Sequence, residues 1–252
     1  MHSMKSFLIS VFSLSVISSF AQINQQDANG KRHGKWEKQY DNGKLRYQGQ
    51  FDHGQEVGVF KFYFDTGDIQ AVNKFRNKSG VCYSLQFGED SVLAAEGKYH
   101  NTKRDSIWTF YDIEGNVVAR EAYNKDVKEG LSVTYFPSGK VAESLQYKNG
   151  KKEGEWKQFY ESGKPRAKGQ YVNGSLQGEV MYYHPSGKLR IKGSYIKGLM
   201  HGKWHFFSEL MELEKTQVWK YGTMMSQDPP PVEEEDETGI KPIDGVPEKW
   251  RE

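Results

Sequence analysis

The chain has a single cysteine, Cys82, among its 252 residues, so it cannot form an intramolecular disulfide. Apolar residues reach only 36%, too few for a large aliphatic core of the usual kind. No Ser/His/Asp arrangement is visible, and the glycines recur at intervals rather than gathering into a phosphate-binding loop. No cysteine follows the N-terminal apolar run, which argues against a bacterial lipoprotein anchor. What the chain does have is aromatics, at 14%, and 26 glycines. That mixture suits short strands and tight turns. Its formal charge of +2 hides an asymmetry, because residues 223–252 hold nine acids against three bases. The body is mildly basic and the tail acidic.

The first 21 residues read as a secretory signal peptide. Lys5 supplies the positive start, Phe7 to Phe20 is uncharged, and Ser19-Phe20-Ala21 forms a small-x-small cleavage site. The expectation is export with cleavage after Ala21, to the periplasm, the cell surface or the medium. A linker over 22–29, a repeat region over 30–222 and an acidic, Pro-containing disordered tail over 223–252 complete the plan. Pro229-Pro230-Pro231 cannot pair as strand, and Glu233 to Glu237 is a run of acids.

The repeat region has a period of 24 residues. Starting at Gly34, the first position reads Gly34, Gly58, Cys82, Ser106, Gly130, Gly154, Gly178 and Gly202. Position 18 reads Phe51, Phe75, Tyr99, Tyr123, Tyr147, Tyr171, Tyr195 and Trp219, aromatic in all eight copies. Such self-similarity marks a repeat architecture. Each copy carries two turn signals, as at Ser162-Gly163 and Asn173-Gly174. Asn-Gly suits a type I′ hairpin, in which both central residues need positive φ. Two turns per copy predict two strands per copy, and so about sixteen strands. The fold class is all-β: an elongated open antiparallel meander of about eight β-hairpin repeats.

Placing a two-residue turn at Ser162-Gly163 pairs Glu161 with Lys164, Tyr160 with Pro165 and Trp156 with Gly169. By the same rule Trp36 faces Gly49, Val180 faces Gly193, and Ser132 faces Leu145 in inverted sizes. A ring opposite glycine lies over the bare backbone. Trp108 facing Glu121 and Trp204 facing Gln217 fit this rule poorly. The turn at Asp112-Ile113-Glu114-Gly115 looks longer, and Ser208 to Lys215 could make one helical turn. Alternation predicts one face with Trp36, Tyr40, Leu45, Tyr47 and Phe51, and a polar face with Glu37, Lys44, Arg46, Gln48 and Gln50. A single layer should leave the rings partly wet.

The run Tyr195-x-x-Gly198-x-x-His201-Gly202-Lys203-Trp204 resembles MORN repeats, specifically the bacterial variant filed with YwqK-type antitoxins. Tyr147-x-x-Gly150-x-x-x-Gly154-x-Trp156 and Asn29-Gly30-x-x-His33-Gly34-Lys35-Trp36 agree with it. The resemblance implies hairpin sheets that serve as scaffolds, dimerisation surfaces or membrane-proximal binders. The antitoxin label implies a cytosolic protein beside a toxin, whereas the signal peptide implies export.

Residues for chemistry are few. The histidines are His2, His33, His53, His100, His184, His201 and His205. His33 and His201 share one repeat position and read as turn or surface residues. His201 and His205 are too far apart on a strand to share an ion. Cys82 reads as a small filler in a glycine column. No catalytic, cofactor-binding or metal-binding residue is assigned, and no cofactor. The expectation is a non-enzymatic scaffold for a protein partner of unknown identity. A membrane surface, a glycan or a toxin is the alternative partner, and nucleic acid is not expected.

Overall fold

The computed structural model describes residues 22–229. The signal-peptide reading and the tail from residue 230 onward lie outside the described residues. Those residues form nineteen strands and no helix. Two units are distinguished, divided after Cys82.

In the first unit a short β1 (Gln25–Gln26) pairs with β2 (Arg32–Gln39). Next come β3 (Leu45–Asp52), β4 (Gln55–Tyr63) and β5 (Ile69–Phe75), each antiparallel to the one before. The boundary falls inside β6 (Val81–Phe87). The second unit continues with β7 (Leu93–His100), β8 (Lys103–Tyr111), β9 (Val117–Asn124), β10 (Val127–Tyr135), β11 (Val141–Lys148) and β12 (Lys151–Phe159). It ends with β13 (Pro165–Val172), β14 (Ser175–Leu176), β15 (Gly178–Tyr183), β16 (Leu189–Ile196), β17 (Leu199–Phe207), β18 (Leu213–Lys220) and β19 (Thr223–Asp228). Each repeat supplies two strands, with β14 and β15 the halves of one. Pairing runs past the expected limits at both ends: β1 lies in the supposed linker, and β19, paired with β18, lies in the supposed tail.

The central register is as expected: Trp156 pairs with Gly169, Trp36 with Gly49, Val180 with Gly193, and Ser132 with Leu145. The turns divide into two kinds. The second turn of a repeat is the two-residue type I′, with Asn149 at φ 51° and Gly150 at φ 77°. The first turn is not. Tyr160 N–H donates to Lys164 O and Gly163 N–H to Tyr160 O, so the loop has three residues with only Gly163 left-handed. The register shifts there, and Phe159, not Tyr160, pairs with Pro165. Asp112–Asn116 and Ser208–Glu212 close in the same way. The first is therefore not longer, and the second is not helical. Met211, at φ 67°, takes the slot that glycine fills elsewhere.

The glycines have two separate duties. Gly154, at φ 80°, begins its repeat at an irregularity in the ladder, where a Cβ would meet crowding no closer than 3.9 Å. Backbone conformation, not space, selects glycine there. Gly193 has no such φ but lies under a ring, since a Cβ would sit 2.1 Å from Trp204. Trp204 belongs to the following strand, not to the strand whose Val180 pairs with Gly193. Likewise Phe60 covers Gly49 and Trp108 covers Gly97. The ring-over-glycine device thus works across the second turn, which removes the poor fit of Trp108 and Trp204. Gly169 is shared between Val180 and Trp156.

These rings are drier than a single layer suggests: Trp108 is 1% exposed, Trp204 3% and Trp156 6%. In the second unit Leu145, Trp156, Ala167, Val180 and Trp204 form one cluster, walled by half-buried Tyr147, Tyr171, Tyr195 and Trp219. Edge-on ring contacts such as Tyr195–Trp204, with centroids 5.1 Å apart, seal the sides.

Candidate functional site

The face opposite the tryptophans is not simply polar. Position 6 of the repeat reads Gln39, then Tyr63, Phe87, Tyr111, Tyr135, Phe159, Tyr183 and Phe207, a second aromatic ladder. Its rings are half-buried under the stems of neighbouring charged residues. Arg120 sits over Tyr135 and Lys168 over Tyr183. Tyr111 Oη–H donates to Glu96 Oε1 at 2.5 Å. That bond and burial push the Tyr111 phenol up to about 12. Burial, then the Glu96 carboxylate, raises the pKa of Tyr83 as well.

On the same face the second unit exposes apolar side chains at position 2. Ile107 is 63% exposed, Leu131 50% and Tyr83 48%. Ile107 pairs with Ala122, whose Cβ lies near Gly130, the neighbour of Leu131. Ile107, Ala122 and Leu131 therefore form a short apolar strip across adjacent strands. In the later copies the same position carries Glu155, Glu179 and Lys203, so the strip is local. The sequence signal for the ladder was a 24-residue column like those already noted, and for the strip only a run of adjacent copies, both on the face assigned as polar.

A second cluster lies at the second-turn edge of the first unit. One residue beyond the Gly34–Phe51 pair, His33 at the start of β2 meets Asp52 at the end of β3. His53 follows in the β3–β4 turn, left-handed at φ 50°. His33 Nδ1 is 3.7 Å, and His53 Nε2 3.6 Å, from the same Asp52 Oδ1. Lys78 Nζ holds Asp52 Oδ2 at 2.6 Å. This ion pair is the main reason the Asp52 carboxyl lies below its usual range.

Asp27, in the β1–β2 turn, lies 2.5 Å from His53 Nδ1 through Oδ2. Its Oδ1 accepts the backbone N–H groups of Asn29 and Lys31. The His53 bond, then those amides, hold the Asp27 carboxyl down at about 2. The sequence reading took His33 and His201 as turn or surface residues and gave His53 no role, whereas the hairpin brings His33 and His53 together, with ring centroids 4.9 Å apart.

The other expected residues are placed separately. His201 lies on Tyr221, and His205 Nδ1 is 3.1 Å from Thr216 Oγ1. These two histidines pair with Ser194 and Lys192, respectively. Cys82 is buried in β6, 4% exposed.

The MORN repeat variant family matches at residues 32–53, 128–149, 152–173 and 176–197. No curated protein matches the chain. Two solved structures are similar in part. The crystal structure of a GtfA/B complex bound to UDP and GlcNAc is 13% identical, over 43% of this chain and 21% of that one, with a TM-score of 0.21. The crystal structure of TcdB2-TccC3-Cdc42 is also 13% identical, over 79% of this chain and 13% of that one, with a TM-score of 0.23. The chain thus spans a fifth or less of the length of each, in round terms.

Proposed function

From a chain that carries MORN repeats of the variant type, a class suited to protein or membrane interaction, we propose an exported, non-enzymatic scaffold that binds a protein partner. The observation that carries the reading is the strip of Ile107, Ala122 and Leu131 on the face opposite the tryptophan core. Ile107 and Leu131 have half or more of their area in water. Contiguous exposed apolar groups ringed by charged and aromatic residues are characteristic of an interaction surface. Tyr83, Tyr111 and Arg120 supply the rim, with the residue types that anchor protein interfaces. Export rests on the uncharged Phe7–Phe20 run and the Ser19-Phe20-Ala21 site.

The test is a photoreactive residue at position 107, cross-linked in the native host. The expected result is a discrete adduct with one protein in an envelope fraction. Adducts with lipid alone would replace the scaffold by a membrane-surface reading. A cytoplasmic protein still carrying Met1 would remove the export.

A further inference from the structure

We propose that His33, His53 and Asp52 bind a divalent first-row transition metal, with Asp27 as the residue that orients His53. This goes beyond the scaffold reading and does not depend on it.

The donors are the right kind and in the right places. Two imidazoles and a carboxylate make a donor set that suits zinc and its neighbours. A tetrahedral ion with bonds of about 2.1 Å separates its ligands by about 3.4 Å. Asp52 Oδ1 lies 3.7 Å from His33 Nδ1 and 3.6 Å from His53 Nε2, close to that edge. All three donors lie within 4.8 Å of one another, so a modest turn of one exposed imidazole closes the set. A groove lined by His33, Asp52, Asn77 and Lys78 leaves the fourth position to water.

The neighbours prepare the donors. With its Nδ1–H donating to Asp27 Oδ2, His53 keeps Nε2 unprotonated on the side of Asp52. A carboxylate behind a histidine is the usual outer partner of a metal-bound imidazole. Asp27 is itself fixed by two backbone amides, and its side chain is only 8% exposed. Lys78 occupies Oδ2 of Asp52 and leaves Oδ1 for the ion.

The repeat supplies an internal control. His201 and Tyr221 repeat the ring contact of His33 and His53: the centroids are 4.7 and 4.9 Å apart, tilted by 45° and 40°. Ring contact is therefore a property of the hairpin edge. In the last hairpin, however, Lys220 stands where Asp52 does and Tyr221 where His53 does. The coincidence of all three ligands occurs in one copy of eight.

The experiment is titration of the full chain with CoCl2, read by visible absorption, followed by displacement with ZnCl2. Circular dichroism of each variant checks the fold. One equivalent of each ion is expected. His53→Ala and Asp52→Asn should abolish the cobalt spectrum. Asp27→Asn should weaken Zn2+ binding about 10–100-fold, the usual effect of removing an outer partner. His201→Ala should bind like the wild type. No stoichiometric binding by the wild type would overturn the proposal, as would loss of binding in His201→Ala equal to that in His53→Ala. Undiminished binding by Asp27→Asn would overturn the orienting role.

Discussion

The hairpins that begin near His33 and His201 share a Gly-Lys-Trp run, a bulge and a ring-on-ring contact at the edge, yet they differ in two ways. Trp36 is only half-buried, and its Nε1–H donates to Gln25 O at 2.9 Å. Trp204 is 3% exposed, lies over Gly193, and has no hydrogen-bond partner for its Nε1–H among the described residues. At the edge, Asp52 joins two histidines, whereas Lys220 stands beside a buried His201 Nδ1 that no group among the described residues satisfies. The repeat thus sets where a side chain is placed. The strand before it sets how dry it is, and its companions one turn away set what chemistry it has.

The largest effect should come from the tryptophans. Trp204→Ala is expected to cost about 3–5 kcal/mol, as for a fully buried ring. Trp36→Ala should cost about 1–2 kcal/mol, because less apolar area leaves water. Urea unfolding followed by circular dichroism measures both. Equal costs would break the comparison.

Gly193→Val comes next, at about 1–3 kcal/mol, because the ring over Gly193 cannot give way without losing its packing. Gly169→Ala should be milder, since a Cβ there meets Val180 at 3.3 Å and Trp156 at 3.5 Å, rather than a ring at 2.1 Å. A greater loss at Gly169 would put the covering ring on the wrong strand.

A smaller effect is alkaline. Position 18 is Phe51 in the first hairpin and Trp219 in the last, neither of which ionises there, but it is Tyr123 between them. Burial, then Glu121, pushes the Tyr123 phenol up to about 12. The unfolded phenol titrates near ~10. The raised value means that the stability is whole below pH ~10 and falls as pH rises toward that of the folded phenol. Tyr123→Phe should flatten that loss in unfolding midpoints measured from pH 9 upward. An unchanged slope would refute it.

The smallest effect should be Asp52→Lys, which makes the first edge resemble the last. Stability should fall by no more than about 1 kcal/mol, because the half-buried Asp52 loses only its partly exposed ion pair with Lys78. A larger shift in the urea midpoint would give Asp52 a structural role.

The repeat, its two strands per copy and the pairs Trp156–Gly169 and Ser132–Leu145 were legible because period and register follow from one column of aromatics and the turn residues, whereas nineteen strands form in place of about sixteen because pairing extends beyond both ends and one strand is split. The turn type was not, because Ser-Gly and Asn-Gly look alike until the backbone bonds show which residues have positive φ. The source of the covering ring was hidden by counting only pairs within a repeat, whereas Trp204 reaches back over Gly193 from the next one. The outer ladder from Tyr63 to Phe207 was a visible column passed over in favour of Lys and Gln nearby. His33, Asp52 and His53 were separable by simple register, one step past Gly34–Phe51, but Asp27 was not, since its turn lies in what reads as a linker.

The central claim is that the inner columns hold the fold and the outer strip holds the partner. Its most direct test is the double variant Ile107→Glu with Leu131→Glu, produced in the native host with the chain cross-linked through a neighbouring outer-face position. Loss of the protein adduct is expected, with an unchanged strand spectrum and an unfolding midpoint like that of the wild type. Retention of the same adduct by a folded double variant would contradict it.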